Sequence, residues 1–324
     1  MRKKIFITGA TGFIGSHLCE MAARKGFNII GFDRYNPNND HGWLKNNNYK
    51  NLKIILGDVR DYDSVHKSMK GCDIVFHLAA LGGIPYSYYS PAAYVKTNIE
   101  GTYNVLEAAK NLKINNTIIT STSEVYGSAK YMPMDESHPL NAQSPYAASK
   151  IAADQLALSY FRSFNTPVKI IRPFNTYGPR QSERAIIPRV IIQCLMNKKK
   201  NITLGNLKPT REFNYVDDVC ESYFKVMKNK KINGEVINIG SNTNISILNL
   251  VKKIQTIIGT KNKILQKKEI KRPNLSEVDN LRCNNNKLKN LCKWTPKINL
   301  KSGLDKTIKW YASNLKYYAN KYRI

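Results

Sequence analysis

The stretch KIFITGATGFIG, residues 4–15, decides the fold of this chain. Residues 4–8 form a short apolar run typical of a buried strand, and apolar positions recur with helical spacing over residues 13–25. Gly9, Gly12 and Gly15 lie around the turn between them, where glycine permits a tight bend and the close approach of a ligand to the backbone. Because a helix N-terminus attracts anions, this strand, turn and helix are predicted to bind the pyrophosphate of a dinucleotide.

The same alternation of apolar runs and helical patterns continues through the first half of the chain. Further strands are predicted at residues 28–33, 52–58, 72–78, 116–121 and 168–172, and two long helices at residues 94–111 and 144–163. Strands that are apolar on both faces suit a parallel sheet covered by helices on both sides. We therefore expect an α/β fold with a Rossmann-type, doubly wound parallel sheet.

The pattern changes after Pro173, where glycine, proline and asparagine become frequent and shorter helices and strands are expected. The length favours about two domains. We predict an NAD-binding domain over residues 1–175 and a smaller α/β substrate-binding lobe over residues 176–324. The lobe is expected to be discontinuous, because a helix at 215–228 and a strand at 235–240, within the region near 211–240, should return to the sheet.

Acidic residues follow two predicted strands at the edge where the dinucleotide should bind. Asp33 ends the second strand, at the distance expected of the acid that binds a ribose diol, which favours NAD. Arg34 has the chemistry to accommodate the 2′-phosphate of NADP, so both cofactors stay open at this point. Asp58 ends the third strand, where it either faces the adenine or caps a turn or helix.

Tyr146 and Lys150 stand four residues apart on a predicted helix, so their side chains share a face. A nearby ammonium favours the phenolate, and we expect Lys150 to lower the pKa of Tyr146. Thr122 and Glu124 follow the fifth strand and should reach the same crevice, Thr122 as a hydrogen-bonding hydroxyl and Glu124 as a candidate general base. The alternatives are a solvated helix face for the first pair and a helix cap with a surface glutamate for the second.

The chain of 324 residues carries 51 Lys and Arg against 23 Asp and Glu, a net charge of +28. Such an excess is one mark of proteins that bind nucleic acid. The lysines, however, form short clusters between apolar segments and lack interleaved aromatic residues, which favours solvated surfaces and argues against nucleic acid. The same positive field attracts a small anion such as a nucleotide.

The remaining composition argues against several other kinds of protein. There is no run of about 20 apolar residues, so no membrane span is expected, and the glycine turn interrupts the N-terminal apolar run before it reaches signal-peptide length. The six cysteines and five histidines are dispersed without metal-ligand spacing, so neither a disulfide framework nor a metal site is expected. A reducing, cytoplasmic location fits this cysteine usage.

Over essentially its whole length the chain resembles the extended short-chain dehydrogenase/reductases that act on nucleotide-sugars. The motifs that carry the resemblance are Gly9-x-x-Gly12-x-x-Gly15, His77-Leu78-Ala79-Ala80, the run from Thr122 to Gly127, Tyr146-x-x-x-Lys150, the run from Arg172 to Pro179, the run from Arg211 to Val219, and Arg272-Pro273. Within that family the chain is most similar to the NAD-dependent 4,6-dehydratases of the legionaminic acid type, especially over residues 83–91 and 172–188.

The resemblance implies a substrate and a reaction. The substrate is a nucleotide-linked N-acetylglucosamine, carried by GDP or UDP. Tyr146, as phenolate, removes the proton of the C4 hydroxyl while hydride passes from C4 to NAD. Glu124 then takes the C5 proton, water leaves from C6, and hydride returns to C6 to give a 4-keto-6-deoxy sugar. Lys150 holds the nicotinamide ribose, and Thr122 bonds the C4 oxygen.

The family pattern also implies which positions touch each ligand. Cofactor-binding positions are Gly9, Thr11, Gly12, Phe13, Ile14, Gly15, Asp33, Arg34, Asp58, Val59, Leu78, Ala79, Ala80, Asn98, Tyr146 and Lys150. Substrate-binding positions are Ser87, Glu124, Asn175, Arg180, Arg211, Asn238 and Arg272. A homodimer is expected as well, because both long helices carry apolar residues on more than one face and can pair as a four-helix bundle.

Ser123 departs from the family's deoxythymidine-linked glucose dehydratases, which place an aspartate there as the acid for the leaving water. Either Glu124 then serves as both base and acid, or Ser123 relays a proton. UDP-glucuronate decarboxylases share the Thr-Ser-Glu run, and nucleotide-sugar 4-epimerases need no base at C5, which leaves Glu124 unexplained. Both remain alternative functions, and a non-catalytic RNA-binding member of the fold is the most remote one.

Overall fold

A parallel sheet of seven strands forms the centre of the computed structural model, which describes residues 2–196, 200–267 and 273–319. In chain order the strands are β1 (Lys4–Thr8), β2 (Asn28–Arg34), β3 (Leu52–Gly57), β4 (Ile74–His77), β5 (Asn116–Thr120), β6 (Val168–Pro173), β7 (Thr176–Tyr177), β8 (Ile202–Leu204), β9 (Thr210–Arg211), β10 (Asn214–Tyr215), β11 (Val236–Ile239), β12 (Ile245–Ser246) and β13 (Ile264–Gln266). The order across the sheet is β11-β6-β5-β4-β1-β2-β3, which confirms the doubly wound α/β fold.

Helices cover both faces of this sheet. In chain order they are α1 (Phe13–Arg24), α2 (Tyr62–Met69), α3 (Ile84–Tyr89), α4 (Pro91–Tyr94), α5 (Gly101–Asn111), α6 (Pro145–Phe164), α7 (Ile186–Met196), α8 (Val216–Lys228), α9 (Ile247–Ile258), α10 (Asn286–Cys292), α11 (Leu300–Asn314) and α12 (Lys316–Ala319). One face packs against α1 and α8, and the other against α2 and α5, with α6 beside α5. No helix within the described ranges is long and apolar enough to cross a membrane.

The helix predicted over residues 94–111 is not a uniform α-helix. It consists of α4, a π-helical segment over Val95–Glu100, and α5. A hydrophobic pattern with a period near 3.6 does not reveal such a local change of winding. The segment lies beside the ligand crevice, where Thr97 contributes to the lining.

The apolar residues on which the four-helix bundle was predicted lie mostly inside the chain. Val105, Leu106, Ala108 and Ala109 of α5 are fully buried, and Leu158 of α6 is 9% exposed. They pack under the sheet and between the two helices, so they cannot form an outer face. Other side chains of these helices face outward, and the dimer itself stays a prediction.

The second half of the chain builds short strands but helices of ordinary length, so the expectation of shorter helices was wrong. Helix α9 begins at the cap residue Ser246, whose hydroxyl accepts the Asn249 N–H, and ends at Gly259 in the left-handed conformation. Helix α8 packs on α1, and β11 pairs with β6, so these two segments join the main sheet layer. The division into residues 1–175 and 176–324 stays a prediction.

Candidate functional site

A cleft of about 850 Å³ opens along the carboxyl ends of the parallel strands. Ligands of open α/β sheets bind at this edge. The lining includes most of the predicted cofactor positions, namely Gly9, Thr11, Gly12, Phe13, Ile14, Gly15, Asp33, Arg34, Asp58, Val59, Leu78, Ala79 and Ala80. The predicted catalytic residues Thr122, Ser123, Glu124, Tyr146 and Lys150 line the other end of the same cleft.

The three glycines of the first turn serve different purposes. Gly9 has a φ of +68°, and a Cβ there would lie 2.9 Å from the Ala79 nitrogen. A Cβ on Gly15 would lie 2.0 Å from the Gly9 carbonyl oxygen, so α1 can approach the turn only without a side chain at this position. A Cβ on Gly12 would meet nothing closer than 3.4 Å and would stand at the cleft. Gly12 therefore leaves room for a ligand, which fits the cradle of a dinucleotide pyrophosphate.

A buried hydrogen-bond chain holds the loop after β4 against this turn. The Thr8 hydroxyl accepts the N–H groups of Leu78 and Ala79, each at 3.1 Å, and donates to His77 Nδ1 at 2.8 Å. His77 Nε2 in turn donates to Thr102, whose own proton goes to the Asn98 carbonyl. Burial lowers the pKa of His77 to about 3, so the ring is neutral and this tautomer is the one that satisfies every partner.

Asp33 stands at the cofactor end of the cleft and organises the glycine turn. Its Oδ2 accepts the Thr11 N–H at 2.6 Å and the Thr11 hydroxyl at 2.7 Å, while Oδ1 accepts the Arg34 N–H at 2.7 Å. Asp58 pairs with Arg60 at 2.5 Å, and this hydrogen-bonded cation lowers the pKa of the Asp58 carboxyl. Asp58 thus shapes the turn after β3, and since it also lines the cleft, its contact with the adenine stays a prediction.

Tyr146 and Lys150 lie one turn apart on α6, which begins at the cap residue Ser144. Lys150 is 3% exposed, and its ammonium donates to the Thr120 carbonyl at 2.6 Å. Burial raises the pKa of Tyr146, against a hydrogen bond from Thr122 that lowers it. Burial thus dominates the pKa of Tyr146 in this structure, and the expected lowering by Lys150 stays a prediction.

Glu124 reaches the same end of the cleft from a 3-10 turn over Ser123–Tyr126. The Thr122 hydroxyl caps this turn by accepting the Glu124 N–H at 3.2 Å. The negative charge of Glu124 is close enough to contribute to the raised pKa of Tyr146. Ser123 is buried beside them and also lines the cleft. A hydroxyl, a carboxylate and a phenol thus converge where strand β5 ends.

Some of the predicted ligand contacts are enclosed by protein. Ser87 is fully buried and its hydroxyl donates to the Ile84 carbonyl at 2.7 Å, while Asn238 is fully buried between Tyr126 and the Met134 carbonyl. Asn98 is fully buried as well and bonds both backbone groups of Leu81. These placements correct the prediction of direct ligand contact: Ser87 and Asn238 do not line the cleft, and Asn98 shapes its wall from behind.

The predicted substrate-binding arginines do not line the cleft among the described residues. Arg180, with a φ of +69°, turns toward α1 and pairs with Glu20 at 2.8 Å. Arg211 is 8% exposed and its guanidinium contacts Glu277 at 3.2 Å, and its contact with substrate stays a prediction. Arg272 lies outside the described residues. Asn175 does line the cleft, where its amide donates to the Glu212 carbonyl at 3.0 Å.

Sequence reasoning missed one part of the cleft lining, which Leu81, Gly82, Tyr86 and Thr97 form. Tyr94, outside the lining, packs edge-on against Tyr146 with ring centroids 6.2 Å apart. The signal available in the sequence was the aromatic cluster of residues 84–94 that comes soon after β4, since loops at the carboxyl edge of the sheet border the ligand crevice.

Comparison with known proteins identifies the relatives of this chain. Residues 6–307 match the family model described as GDP-mannose 4,6 dehydratase. The chain is 33% identical to a dTDP-D-glucose 4,6-dehydratase of Homo sapiens, with 98% of this chain and 92% of that protein covered. It is 33% identical to a UDP-N-acetyl-alpha-D-glucosaminuronate decarboxylase of Bacillus cytotoxicus, with 96% and 98% covered.

A solved structure shows the same architecture. The UDP-glucuronic acid 4-epimerase of Bacillus cereus, in complex with UDP-glucuronic acid and NAD, superimposes with a TM-score of 0.88 and 31% identity. The match covers 97% of this chain and 99% of that chain. A dehydratase, a decarboxylase and an epimerase are thus similarly related, and the reaction must be argued from the residues of the cleft.

Proposed function

The chain belongs to the GDP-mannose 4,6-dehydratase family of extended short-chain dehydrogenase/reductases, and from this premise we propose that it is a nucleotide-sugar 4,6-dehydratase. Its substrate is a GDP- or UDP-linked N-acetylglucosamine and its product the 4-keto-6-deoxy sugar, as in the legionaminic acid type. One observation carries the proposal: Glu124 shares one end of the cleft with Tyr146, Thr122 and Lys150. A carboxylate beside the tyrosine is what removal of a C5 proton requires.

The cofactor is NAD, which the related epimerase structure contains. The glycine cradle, the N-terminus of α1 and Asp33 form a site of the right kind for it. When bound, the oxidised nicotinamide accepts hydride from C4 and later returns it to C6, and its positive charge favours the phenolate of Tyr146.

The residues of this chain supply the proton transfers. Tyr146 takes the proton of the C4 hydroxyl, and Thr122, hydrogen-bonded to Tyr146, orients the same oxygen. The ketone formed at C4 acidifies C5, and Glu124 takes the C5 proton as general base. The hydroxyl at C6 then leaves as water, with its proton supplied by Glu124 directly or through Ser123. Lys150, held by the Thr120 carbonyl, binds the nicotinamide ribose.

Glu124 favours a dehydratase over an epimerase but does not separate it from a decarboxylase, because UDP-glucuronate decarboxylases share the Thr-Ser-Glu run. The two reactions differ in what leaves the sugar, which is water for a dehydratase and carbon dioxide for a decarboxylase, so the products must distinguish them. An epimerase, by contrast, has no use for Glu124 as a base at C5.

The test is a panel of nucleotide-sugars with products read by mass spectrometry. The panel contains GDP- and UDP-linked N-acetylglucosamine, glucose, mannose and glucuronic acid. Loss of water from an N-acetylglucosamine donor is the expected result. Loss of carbon dioxide from the glucuronic acid donor identifies a decarboxylase, and a change of sugar configuration without change of mass identifies an epimerase. Either of these without loss of water contradicts the proposal.

We also propose that the chain acts as a homodimer in which α5 and α6 meet their copies across a two-fold axis. The support is exposed apolar surface at these helices: Tyr103 of α5 is 46% exposed, and Val95, at the start of the π-helical segment, is 47% exposed. Large apolar side chains on the outer side of a helix pair are typical of helix–helix interfaces.

A further inference from the structure

A buried ion pair lies behind the catalytic end of the cleft without lining it. Asp154 of α6 is fully buried and Arg172 of β6 is 3% exposed. One carboxylate oxygen, Oδ2, accepts from Arg172 Nε at 3.0 Å and from Nη2 at 2.9 Å. Neither residue has a place in the proton transfers described above, although they stand next to the groups that perform them.

The pair is bonded to both ends of residues 121–126, the segment that carries Thr122 and Glu124. At its start, the Ser121 hydroxyl donates to Asp154 Oδ2 at 2.8 Å. At its end, Arg172 Nη1 donates to the Tyr126 hydroxyl at 3.0 Å, and its guanidinium lies 4.9 Å from the centre of the Tyr126 ring. Between these two anchors stand Thr122 and Glu124.

The same pair is attached to the other half of the catalytic machinery. Asp154 follows Lys150 by one turn of α6 and Tyr146 by two, so the three side chains share one face of that helix. The charges of Asp154 and Lys150 act on each other across this turn. The Tyr126 hydroxyl also donates to Asn238 at 2.7 Å, which ties the segment to β11.

We propose that Asp154 and Arg172 are positioning residues that hold the 121–126 segment, with Glu124, at a set separation from the helix that carries Tyr146 and Lys150. A charged pair buried in this way adds little net stability compared with apolar packing of the same volume. Its directional bonds nevertheless fix geometry, and a displacement of about 1 Å at reacting groups can cost about 10²-fold in rate. The part of this inference that concerns C5 deprotonation rests on the proposed function.

The experiment uses substitutions that weaken the connection without leaving a lone buried charge. Tyr126→Phe removes the hydroxyl but keeps the ring against Arg172, and Arg172→Lys keeps the charge but cannot reach Asp154 and Tyr126 together. Tyr160→Phe is the matched control. Tyr160 lies on α6, as Asp154 does, and is 6% exposed. Its hydroxyl donates to Glu107 at 2.7 Å, away from the 121–126 segment.

Two measurements are made on each NAD-loaded variant. Hydrogen–deuterium exchange of the peptide spanning 121–127 reports whether the segment has loosened. Incorporation of solvent deuterium at C5, compared with accumulation of reduced cofactor, separates the Glu124 step from the Tyr146 step. Both test variants should exchange faster than the control in this peptide. They should lose about tenfold or more in C5 incorporation while still reducing the cofactor.

The outcomes separate this inference from the proposed function. Unchanged peptide exchange in both test variants overturns the positioning role, whatever reaction the enzyme performs. A loosened segment with C5 incorporation equal to that of Tyr160→Phe overturns its catalytic consequence. If the parent enzyme performs no dehydration, the proposed function fails, and the peptide exchange still decides whether Asp154 and Arg172 hold the segment.

Discussion

At the scale of single residues, Tyr146 and Glu124 should control different halves of the reaction. Tyr146→Phe removes the base for oxidation at C4, so every later step stops. Glu124→Gln keeps Tyr146, Lys150 and the cofactor cradle but removes the group that takes the C5 proton, a loss of roughly 10²- to 10⁴-fold. The Glu124 variant should therefore accumulate reduced cofactor, visible by absorbance, with little 4-keto-6-deoxy product and no deuterium at C5. Dehydration near the parental rate would show that Glu124 is not the base that takes the C5 proton.

Asp33 should make NAD the preferred cofactor. Its carboxylate lines the cofactor end of the cleft and repels a 2′-phosphate, whereas Arg34 beside it attracts one. We expect a lower dissociation constant for NAD than for NADP. Asp33→Ser should reduce the ratio of the NADP constant to the NAD constant by at least about tenfold. Asp61→Asn, which removes a charge outside the cleft but keeps the cap of α2, serves as control. Tighter binding of NADP by the parent enzyme contradicts this assignment.

Some of the predicted site residues could be placed from local sequence patterns, and others could not. Gly9 and Tyr146 could be placed from the sequence, because a strand–turn–helix boundary and a four-residue helical spacing determine where such side chains go. Ser87 and Arg180 could not, since their direction depends on partners distant in sequence. Arg180 turns away toward Glu20, 160 residues earlier. His77 helps to hold the loop after β4 through hydrogen bonds to Thr8 and Thr102, and no local sequence pattern predicts these bonds.

At the scale of elements, Gly12 and Gly15 of the turn between β1 and α1 should respond differently to substitution by alanine. Gly15→Ala places a Cβ 2.0 Å from a backbone oxygen, so α1 must shift, and we expect a loss of about 1–3 kcal/mol in unfolding free energy together with weaker NAD binding. Gly12→Ala meets no close backbone atom and should cost about 1 kcal/mol at most, yet it should weaken NAD binding because the methyl group enters the cradle. Thermal denaturation and NAD titration measure both. Equal stability of the two variants would contradict this division of roles.

The strands of the sheet were predictable because each is a continuous apolar run. Residues 116–121, for example, correspond to the strand observed at Asn116–Thr120. The π-helical segment at Val95–Glu100 was not predictable, because it alters the winding without altering the hydrophobic pattern. Helices α7 and α11 in the second half were missed for a different reason. Glycine, proline and asparagine are frequent in this half and favour turns over helices in a sequence-based prediction. Pro188 nevertheless stands inside the first turn of α7, where a helix tolerates it.

At the scale of the whole molecule, Glu212 should make stability depend on pH. It is fully buried and accepts the backbone N–H groups of Cys283, at 2.7 Å, and of Ser241, so it connects distant parts of the second half. Burial raises the pKa of its carboxyl from the ordinary 4.5 to about 7. From pH 4.5 to 7 the unfolded chain releases this proton while the folded chain keeps it, so the unfolding free energy falls as pH rises, by up to roughly 3 kcal/mol.

Chemical denaturation between pH 4 and 8 checks this linkage. The parent enzyme should lose stability relative to Glu212→Gln as the pH rises through this window, because the amide has no proton to release. A stability difference between parent and variant that stays constant with pH would show that Glu212 does not titrate in the folded state.

The net charge of +28 bears on assembly as well as on substrate attraction. Exposed lysines, such as those at residues 252–253, repel like copies of the chain, so a dimer needs apolar contact to offset them. In the proposed dimer the exposed Tyr103 of α5 would supply such contact, and light scattering at micromolar concentration should give twice the mass of the chain. Tyr103→Glu places a charge in that interface and should give the monomer mass. Tyr89→Glu is the control, because Tyr89 is 86% exposed and lies outside both long helices, and it should leave the dimer intact. A monomeric parent refutes the dimer. A dimer that survives Tyr103→Glu locates the interface on another face, and α5 then has no part in assembly.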